Sequence, residues 1–383
     1  MKAGFVCASA CCLNDKGQLM VQSHEHLSLL QWTPLFEKVV IYWTETKYKK
    51  DDKWCLLEAP NVTFEPICHN NDSLLEKIRK IKEKAKCTNC NVFYYRMPSY
   101  ETLLFYQFQD KRIPYFVEMH GNQESVIMLG SKPFFVKKIL NYFVHRKNQA
   151  LCSNAKFAIS IGPKLVEDYI KTKIPVLVTT NHLTREADYP QDVPYHSLHH
   201  PIKILFVGSI SERKGLGILF QALKKLNEEG IEFEMLLAGE GPIKEKLSDY
   251  AKANKFMHKV HFLGQVRHGV ELYNIYKGAD IFVLPSVAAE GVPRVTHEAM
   301  IFGCAIVATN IGSVSWQLNN NSGIVIQPND VIALYESLKK LIYNEDLRKT
   351  IVKCAYTKSK NYSWEKQCSG IRVFVKKHLN NDK

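Results

Sequence analysis

Short runs of apolar and β-branched residues recur through the second half of the chain, and segments with helical periodicity separate them. The runs are IKILFVG (202–208), FEMLLAG (233–239), VHFLG (260–264), IFVLP (281–285), CAIVAT (304–309) and GIVIQP (323–328). Runs that are apolar on both faces and alternate with helices are typical of a parallel sheet covered on both sides. The pattern therefore predicts a doubly wound α/β domain over residues 202–365.

The first half repeats this alternation less regularly, and a polar segment separates the two halves. Its candidate strands are GFVCASA (4–10), KVVIYW (38–43), NVFYYR (91–96), PYFVEMHG (114–121), KFAISIG (156–162) and PVLVTT (175–180). The segment ADYPQDVPYHSLHHP (187–201) has three prolines and no periodicity, so we interpret it as a linker. The chain then comprises an N-terminal domain (1–190), the linker, the C-terminal domain (202–365) and a basic helix (366–383). Two such domains leave a cleft between them, and their ligands bind at strand carboxyl ends.

The composition is that of a globular protein with an excess of basic side chains. Hydrophobic residues make up 46% and charged residues 23% of the chain, and the formal net charge is +13 at pH 7. This charge is compatible with phosphorylated ligands, anionic lipid or nucleic acid. We find no basic run with interleaved aromatic residues and no helix-turn-helix signal, which argues against a nucleic-acid binder. No apolar run reaches about 18 residues, so no membrane-spanning helix is expected.

The cysteines point to a reducing compartment. There are eleven at irregular spacings, and we interpret the start of the chain as a buried strand rather than an export signal, so we expect a cytoplasmic protein. Cys87 and Cys90 have the spacing of metal ligands. No second pair follows at a zinc-site interval, and two surface thiols are the simpler interpretation.

Two glutamates, Glu290 and Glu298, stand eight positions apart around Gly-Val-Pro. Glu290 follows the strand at 281–285 by a short loop, and Pro293 is typical of the first turn of a helix. Helical side chains lean toward the N-terminus, so Glu298 can reach back over the same opening. The helix N-terminus adds unpaired N–H groups that favour phosphate. The spacing predicts a site for a ligand with hydroxyls and phosphate, although two solvated glutamates would have the same spacing.

A second group of candidate site residues follows the strand at 202–208. Gly208 ends that strand, and Arg213 and Lys214 stand just before Gly215 opens a helix. Adjacent cations at the carboxyl end of a strand can neutralise a diphosphate, and an arginine can do so with two hydrogen bonds. The alternative is an ordinary surface Arg-Lys pair.

Six segments of the second half resemble, in order, the C-terminal domain of the family-4 retaining glycosyltransferases. They are VGSISERKG, LLAGEGP, FLGQV, YKGADIFVLPS, EGVPRVTHEAMIFGCAIVAT and GIVIQPND. The first half resembles the family more loosely through EMHG, ISIGPKLVEDYI and VTTNHLTREADY. The resemblance implies the GT-B fold, in which two Rossmann-like domains face each other across a cleft, and a sugar-transferring enzyme.

The resemblance also implies roles for individual residues. By position, Glu290 contacts the hydroxyls of the donor sugar and Glu298 holds the ribose of the nucleotide. Arg213 and Lys214 bind the diphosphate and stabilise the charge on the departing nucleotide. His120, at the end of PYFVEMHG, faces the donor sugar. Further contacts to the nucleotide sugar are implied for Gly208, Ser209, Gln265, Val266, Gly291, Arg294 and Val295.

Two positions depart from the family pattern. Ser209 stands where family members often carry an arginine, so Arg213 would have to take over that role. The loop after the first strand usually contains paired glycines close to the donor phosphates, whereas SACCLNDKGQ contains only Gly17. Cys11 and Cys12 in that loop have no assigned role.

The resemblance implies transfer from a UDP- or GDP-linked sugar to a hydroxyl acceptor, with retention of the anomeric configuration. The sequence contains no Asp-x-Asp, the motif with which many other transferases hold a divalent metal. We therefore expect no cofactor and a metal-independent reaction that relies on Arg213, Lys214 and the helix dipole. The family's commonest setting is bacterial surface-polysaccharide or glycolipid assembly, which implies a glycan or lipid-linked acceptor.

One segment bears on the acceptor. SKPFFVKKILNYFVHRKNQ (131–149) combines basic and aromatic residues. It predicts either peripheral contact with anionic lipid at the cytoplasmic face of the inner membrane, or a helix with one buried and one solvated face.

Other functions stay open from the sequence alone. A nucleotide-sugar epimerase of the same fold would act on the donor without an acceptor, and a phosphorylase would need a pyridoxal lysine that we cannot identify. A non-catalytic nucleotide-sugar-binding protein would keep the fold without the chemistry.

Overall fold

The computed structural model describes residues 1–6, 11–48, 54–121, 127, 133–288 and 291–379. The chain forms two compact units, one of Met1–Asn181 with Gln367–Lys383 and one of His182–Lys366. Each is an α/β unit built on a sheet with parallel strands, which confirms the predicted fold class.

The first unit is built on a mixed sheet. Its strands are β1 (Lys2–Val6), β2 (Cys11–Leu13), β3 (Leu19–Gln22), β4 (Lys38–Glu45), β5 (Trp54–Leu56), β6 (Val62–His69), β7 (Val92–Met97), β8 (Tyr115–Met119), β9 (Ala158–Ile161) and β10 (Val176–Thr179). Its helices include α1 (Ser23–Leu30), α2 (Leu74–Lys86), α3 (Tyr100–Phe108), α4 (Phe134–Ser153) and α5 (Lys164–Tyr169). The sheet order is β10-β9-β8-β7-β1-β4, with β6 also paired to β4 and with β2-β3-β5 continuing from the end of β4.

The segment after β1 forms a hairpin that the sequence did not predict. Strands β2 and β3 pair antiparallel, and Gly17 takes a φ of +71° in the turn between them. Cys11 and Cys12 are buried strand residues. Burial, together with the nearby carboxylate of Glu45, raises the pKa of Cys12 to about 11. These thiols therefore contribute to packing, and Gly17 serves the turn. The last residues of the predicted first strand, 7–10, lie outside the described part of the chain.

The second unit is built on a six-stranded parallel sheet. Its strands are β11 (Ile202–Val207), β12 (Phe233–Ala238), β13 (Val260–Gly264), β14 (Ile281–Leu284), β15 (Ala305–Thr309) and β16 (Ile324–Ile326). Its helices are α6 (Leu216–Glu228), α7 (Lys244–Ala253), α8 (Val270–Lys277), α9 (Arg294–Ile301), α10 (Val314–Gln317), α11 (Val331–Tyr343) and α12 (Glu345–Ser359), as far as this unit is described. The order β13-β12-β11-β14-β15-β16 reverses direction between β11 and β14. In such sheets the reversal opens a crevice at the carboxyl ends of the two strands.

The sequence patterns explain these elements. All four residues of β14 are buried, as expected for a strand covered on both faces. Helix α6 buries Leu216, Leu219, Leu223 and Leu226, which recur at intervals of three or four and form one apolar stripe.

The segment predicted as a linker is part of the second unit. The division between the units lies between Asn181 and His182, so residues 187–201 follow it. The hydroxyl of Tyr189 lies 2.9 Å from Nε2 of His297 and donates to the carbonyl of Ser359 at 3.1 Å. Such contacts hold the segment on the second unit in spite of its three prolines.

The predicted terminal helix is present as α13 (Trp364–Leu379), and it returns the chain to the first unit. From Gln367 onward it belongs to that unit, where Ile371 and Val375 lie in the hydrophobic core. The first unit is therefore built from two separate parts of the sequence.

Candidate functional site

The loops after β11 and β14 meet at the reversal point of the second sheet. The backbone N–H of Val287 donates to the carbonyl of Arg213 at 2.9 Å. Gly215 has a φ of +66°, and a Cβ there would lie 1.9 Å from the carbonyl oxygen of Pro285. Only glycine fits both the left-handed backbone and this close approach. The loop contact therefore holds the Arg-Lys pair at the carboxyl ends of the two strands.

Lys214 is buried at the end of β11. Its residue surface is 7% exposed, and its Cε lies 3.9 Å from the position that a Cβ on Gly208 would take. Arg213 is exposed, and so is Ser209, whose hydroxyl lies 3.2 Å from that of Ser211. The site thus offers one buried and one exposed cation at adjacent positions.

The loops after β12 and β13 join the same edge. The backbone N–H of Gly239 donates to the carbonyl of Gly264 at 2.7 Å. A Cβ on Gly239 would lie 2.0 Å from the carbonyl oxygen of Gly208, so the backbones of the loops after β11 and β12 are in direct contact. Gln265 is exposed and Val266 packs against the core of the second unit. This position at the carboxyl edge is compatible with the contact to the nucleotide sugar that the resemblance implies for Gln265 and Val266.

Glu298 is held in place by two side chains that the sequence did not single out. The hydroxyl of Tyr276 donates to Oε2 of Glu298 at 2.9 Å, and Nε2 of His268 lies 3.3 Å from Oε1. Burial, together with the Glu298 carboxylate, raises the pKa of Tyr276 well above its usual range, so this phenol stays a donor. Tyr276 lies near the end of α8 and is the first residue of the motif YKGADIFVLPS. Its place in that motif was the only sequence signal for its role. Glu298 is 4% exposed, which gives it a fixed orientation.

Glu298 lies in the second turn of helix α9. Pro293 precedes the helix as its N-cap, one position earlier than predicted, and Arg294 and Val295 are its first two residues. Backbone N–H groups at these positions have no acceptor within the helix. Gly291 precedes the helix and is half-buried. Glu290 lies outside the described residues, so its role stays a prediction.

His297, which precedes Glu298 in the chain, stacks on the distant His182. The rings of His182 and His297 have centroids 3.6 Å apart and planes that differ by 7°. Burial lowers the pKa of both, and that of His297 falls to about 3. This pair is neutral at ordinary pH, and no sequence motif indicated it.

His120 belongs to the first unit, where it follows β8. Its Nε2 lies 2.7 Å from Oε2 of the buried Glu118. Nη1 of Arg96 lies 2.6 Å from Glu25, its Nε lies 3.5 Å from Glu118, and the hydroxyl of Tyr94 donates to Glu118. Burial alone would raise the pKa of Glu118, but His120 and Arg96 outweigh it and lower that pKa to about 2. His120 is thus oriented by an ionised carboxylate.

The structure places most of the predicted residues on one unit. The loops after β11, β13 and β14 and the first turns of α9 carry Gly208, Ser209, Arg213, Lys214, Gln265, Val266, Gly291, Arg294, Val295 and Glu298. This set combines two adjacent cations with a buried carboxylate.

The first half of α4 exposes a broad apolar and basic face. Phe134, Phe135, Ile139, Tyr142 and Phe143 are each 56–66% exposed. The basic residues of the same helix are Lys137, Lys138, Arg146 and Lys147. Its buried residues Val144, Asn148, Leu151 and Cys152 all lie in the second half. The interpretation as an ordinary half-buried helix therefore fits only the second half. No helix in the described residues is long and apolar enough to cross a bilayer.

Residues 194–358 match the family model described as Glycosyl transferases group 1. An uncharacterized glycosyltransferase of Methanocaldococcus jannaschii is 25% identical over 261 residues, which cover 68% of this chain and 67% of that protein. An α-1,4-N-acetyl-D-galactosaminyltransferase of Campylobacter jejuni, named for an undecaprenol-diphosphate-linked glycan, is 21% identical over 321 residues and 83% of each chain.

A solved structure has the same fold over nearly the whole chain. Anabaena HepE in complex with UDP-glucose superposes with a TM-score of 0.68 at 15% identity, covering 98% of this chain and 100% of that one. At this identity the likeness bears on the fold, and it agrees with the GT-B architecture that the sequence resemblance implied.

Proposed function

We propose that this enzyme moves a sugar from a nucleotide-diphosphate donor to a hydroxyl acceptor, with retention of the anomeric configuration, because residues 194–358 match the family model described as Glycosyl transferases group 1. The observation that carries the proposal is the buried Lys214 beside Gly208 at the reversal point of the sheet, next to the exposed Arg213. The similar Anabaena protein was solved with UDP-glucose. We infer a UDP- or GDP-linked donor for this chain.

The proposed chemistry depends on charge at the departing diphosphate. Breaking the bond between sugar and diphosphate leaves negative charge on the nucleotide and positive character on the anomeric carbon. The ammonium of Lys214 and the guanidinium of Arg213 stabilise the first, and the N-terminus of α9 adds N–H donors. Because these groups supply the charge, the proposed reaction needs no divalent metal.

The two glutamates divide the donor between them in this proposal. Glu298 accepts hydrogen bonds from the ribose, and the contacts from Tyr276 and His268 hold it ready for that task. Glu290 orients the hydroxyls of the transferred sugar. A contact of His120 with the donor sugar stays a prediction of the resemblance.

The experiment that tests the donor site is a thermal-shift panel of UDP, GDP, ADP and their sugar conjugates, with and without chelator. Glu298→Gln keeps the shape of the side chain but loses its charge, and Glu336→Gln, an exposed position on α11, is the matched control. We expect one nucleotide to stabilise wild type and Glu336→Gln regardless of chelator. Glu298→Gln should bind that nucleotide about 10-fold more weakly, the loss of one charge-assisted hydrogen bond.

A turnover assay with the nucleotide sugar that stabilises the protein distinguishes sugar transfer from epimerisation and from binding without catalysis. Lys214→Gln should reduce turnover by about 10²–10³, the usual cost of losing one group that stabilises developing charge. Stabilisation by none of the nucleotides would contradict the donor site. Conversion of the donor sugar without an acceptor would replace transfer with epimerisation.

We propose a lipid-linked acceptor and peripheral binding at the cytoplasmic face of an anionic membrane. The exposed apolar residues of α4 can enter the headgroup region while its basic residues contact anionic lipid. The Campylobacter relative, whose name describes an undecaprenol-linked substrate, supports this acceptor class. The proposed setting is polysaccharide or glycolipid assembly.

Co-sedimentation with vesicles containing an anionic lipid tests the membrane proposal. Ile139→Ser with Phe143→Ser removes two apolar residues of α4, and Ile332→Ser with Tyr343→Ser removes two exposed apolar residues of the second unit. Wild type and the second pair should bind at low salt, and the first pair should bind at least about 10-fold more weakly because buried apolar area drives interfacial binding. Equal binding by both pairs would contradict a role for α4.

A further inference from the structure

Three side chains with metal-binding atoms meet at the amino-terminal edge of the second sheet. Nε2 of His196 lies 3.2 Å from Oδ1 of Asp280, and Nδ1 of His199 lies 2.9 Å from the same oxygen. One ligand atom from each residue lies within 4.8 Å of the other two. Asp280 precedes β14, so this cluster is at the opposite end of the strands from Lys214 and is independent of the transfer site.

The main chain holds Asp280 in its ionised form. The backbone N–H of Lys203 donates to Oδ2 at 2.7 Å, and the backbone N–H of His199 donates to Oδ1 at 3.0 Å. Hydrogen bonds from backbone N–H groups favour a carboxylate over a carboxylic acid. The residue is 4% exposed, so its negative charge is largely removed from water.

The surroundings of Oδ1 leave a ring nitrogen without a hydrogen-bonding role. Three nitrogens lie within 3.2 Å of this oxygen: the backbone N and Nδ1 of His199, and Nε2 of His196. A carboxylate oxygen has two lone pairs, so it cannot accept well from all three. Nε2 of His196 is buried, its contact with Oδ1 at 3.2 Å does not meet hydrogen-bond geometry, and it makes no other hydrogen bond within the described residues. Such a nitrogen is suited to donate its lone pair to a cation.

The separations and the space are those of a small metal ion. Zinc binds histidine nitrogen and carboxylate oxygen at about 2.0–2.2 Å, which puts tetrahedral ligands roughly 3.3 Å apart. The observed separations of 2.9 and 3.2 Å are close to this value. Beside His196 and Asp280 lies a cavity of about 10 Å³, which Arg348 also lines and His199 does not. That volume is about the space that a single bound water needs.

We propose that His196, His199 and Asp280 bind one divalent cation of the zinc class, with water as a further ligand. Two imidazoles and one carboxylate favour Zn²⁺, Co²⁺ or Ni²⁺ over Mg²⁺ or Ca²⁺, which prefer oxygen ligands alone. The cation joins residues 196–199 to the start of β14. Its role is structural, because it fastens the proline-containing segment 187–201 to the second unit.

The test uses the full chain after removal of metal by a chelator and dialysis, with Zn²⁺ alone as the probe. Wild type should bind one Zn²⁺ in isothermal titration. At a free Zn²⁺ concentration about 100 times the dissociation constant, its unfolding temperature should rise by about 5–10 °C.

Neighbouring histidines provide the variants. His196→Gln and His199→Gln each remove one ligand, and the exposed His200→Gln is the matched control. The ligand variants should bind Zn²⁺ at least about 10-fold more weakly and lose the thermal shift, while His200→Gln keeps both. The metal-free unfolding temperatures of all three variants provide the check on folding.

Two results would overturn the proposal. One is an equal Zn²⁺ affinity of His196→Gln, His199→Gln and wild type. The other is a Co²⁺ complex of wild type with the intense near-ultraviolet absorption of thiolate ligands, which would place the ion on cysteines such as Cys87. Sugar transfer at 25 °C should be the same before and after chelation, so failure of this site and failure of the transfer proposal remain distinguishable.

Discussion

The second unit assembles the carboxyl edge of its sheet from main-chain contacts, whereas the first unit uses buried charged side chains. In the second unit the carbonyl of Pro285 lies against Gly215, so glycine allows two loops to touch. In the first unit Arg96 lies between the carboxylates of Glu25 and Glu118, and Glu118 in turn contacts His120.

This difference predicts how the carboxyl edge of each sheet responds to a substitution. A contact between backbones leaves room for a ligand, but it fails when any side chain is added. A buried ion network fixes a side chain such as His120, but it fails when one charge is removed, because its partner remains buried and unpaired. Three predictions separate the two cases.

The largest effect is expected in the first unit. Arg96→Met should destabilise that unit by about 3–5 kcal/mol, because it leaves Glu118 charged and buried. Arg112→Met is the control, since Arg112 is 90% exposed and pairs with Asp110 at the surface, where the loss should be much smaller than for Arg96→Met. Hydrogen exchange of peptides from β7 and β8 during denaturant titration measures both. Similar values for the two variants would show that the network does not stabilise the unit.

A somewhat smaller effect is expected for Gly215→Ala in the second unit. The added Cβ meets the carbonyl of Pro285 and the residue must keep a left-handed backbone, which together cost about 3 kcal/mol. Nucleotide binding should be lost with the loop contact. Gly217→Ala is the control, because a Cβ there has nothing within 4 Å and a helical alanine stabilises by about 0.5–1 kcal/mol. Thermal unfolding with and without nucleotide compares them, and an unchanged nucleotide affinity in Gly215→Ala would contradict the prediction.

The smallest effect is a difference in acid sensitivity. His297 has a folded pKa of about 3 against 6.5, so only the unfolded chain takes up this proton as the pH falls below 6.5. His297 alone should therefore cost the second unit about 2 kcal/mol between pH 7 and pH 5, and the stacked His182, whose pKa is also lowered by burial, adds to this loss. Glu118 has a pKa lowered from 4.5 to about 2, so the stability it contributes is lost only below about pH 4.5.

Hydrogen exchange resolved by unit at pH 7 and pH 5 measures this difference. His297→Gln should reduce the response of the second unit to the part that His182 contributes, and the exposed His258→Gln should leave the response unchanged. A loss of protection in the first unit at pH 5, with none in the second, would reverse the comparison.

The sequence predicted the second unit well because its signals are local. The runs at 202–208, 260–264 and 281–285 correspond to β11, β13 and β14 within a residue. The motif Arg-Lys-Gly likewise predicts a loop, since Gly215 takes the left-handed backbone conformation between the turn at 212–214 and α6. Short-range patterns therefore predicted both the strands and the cations.

The parts that were missed depend on contacts between distant residues. Segment 187–201 looks like a linker by composition, but Tyr189 reaches His297 far along the chain. Tyr276 and His268 are recognised as partners of Glu298 only after α8 and α9 are brought together. The β2–β3 hairpin was missed because Asn14 to Gly17 reads as an ordinary loop until its flanking strands are paired.

The return of α13 to the first unit has a consequence for protein synthesis. Ile371 and Val375 complete the core of the first unit, yet the ribosome must make the 185 residues from His182 to Lys366 before it reaches them. At roughly 5–20 residues per second this takes about 10–40 s. During that time the nascent first unit exposes the apolar surface that α13 later covers, and the sequence of the second unit is complete before Ile371 and Val375 are made. The unit encoded first is thus the one that finishes folding last, and its apolar surface is available to chaperones in the interval.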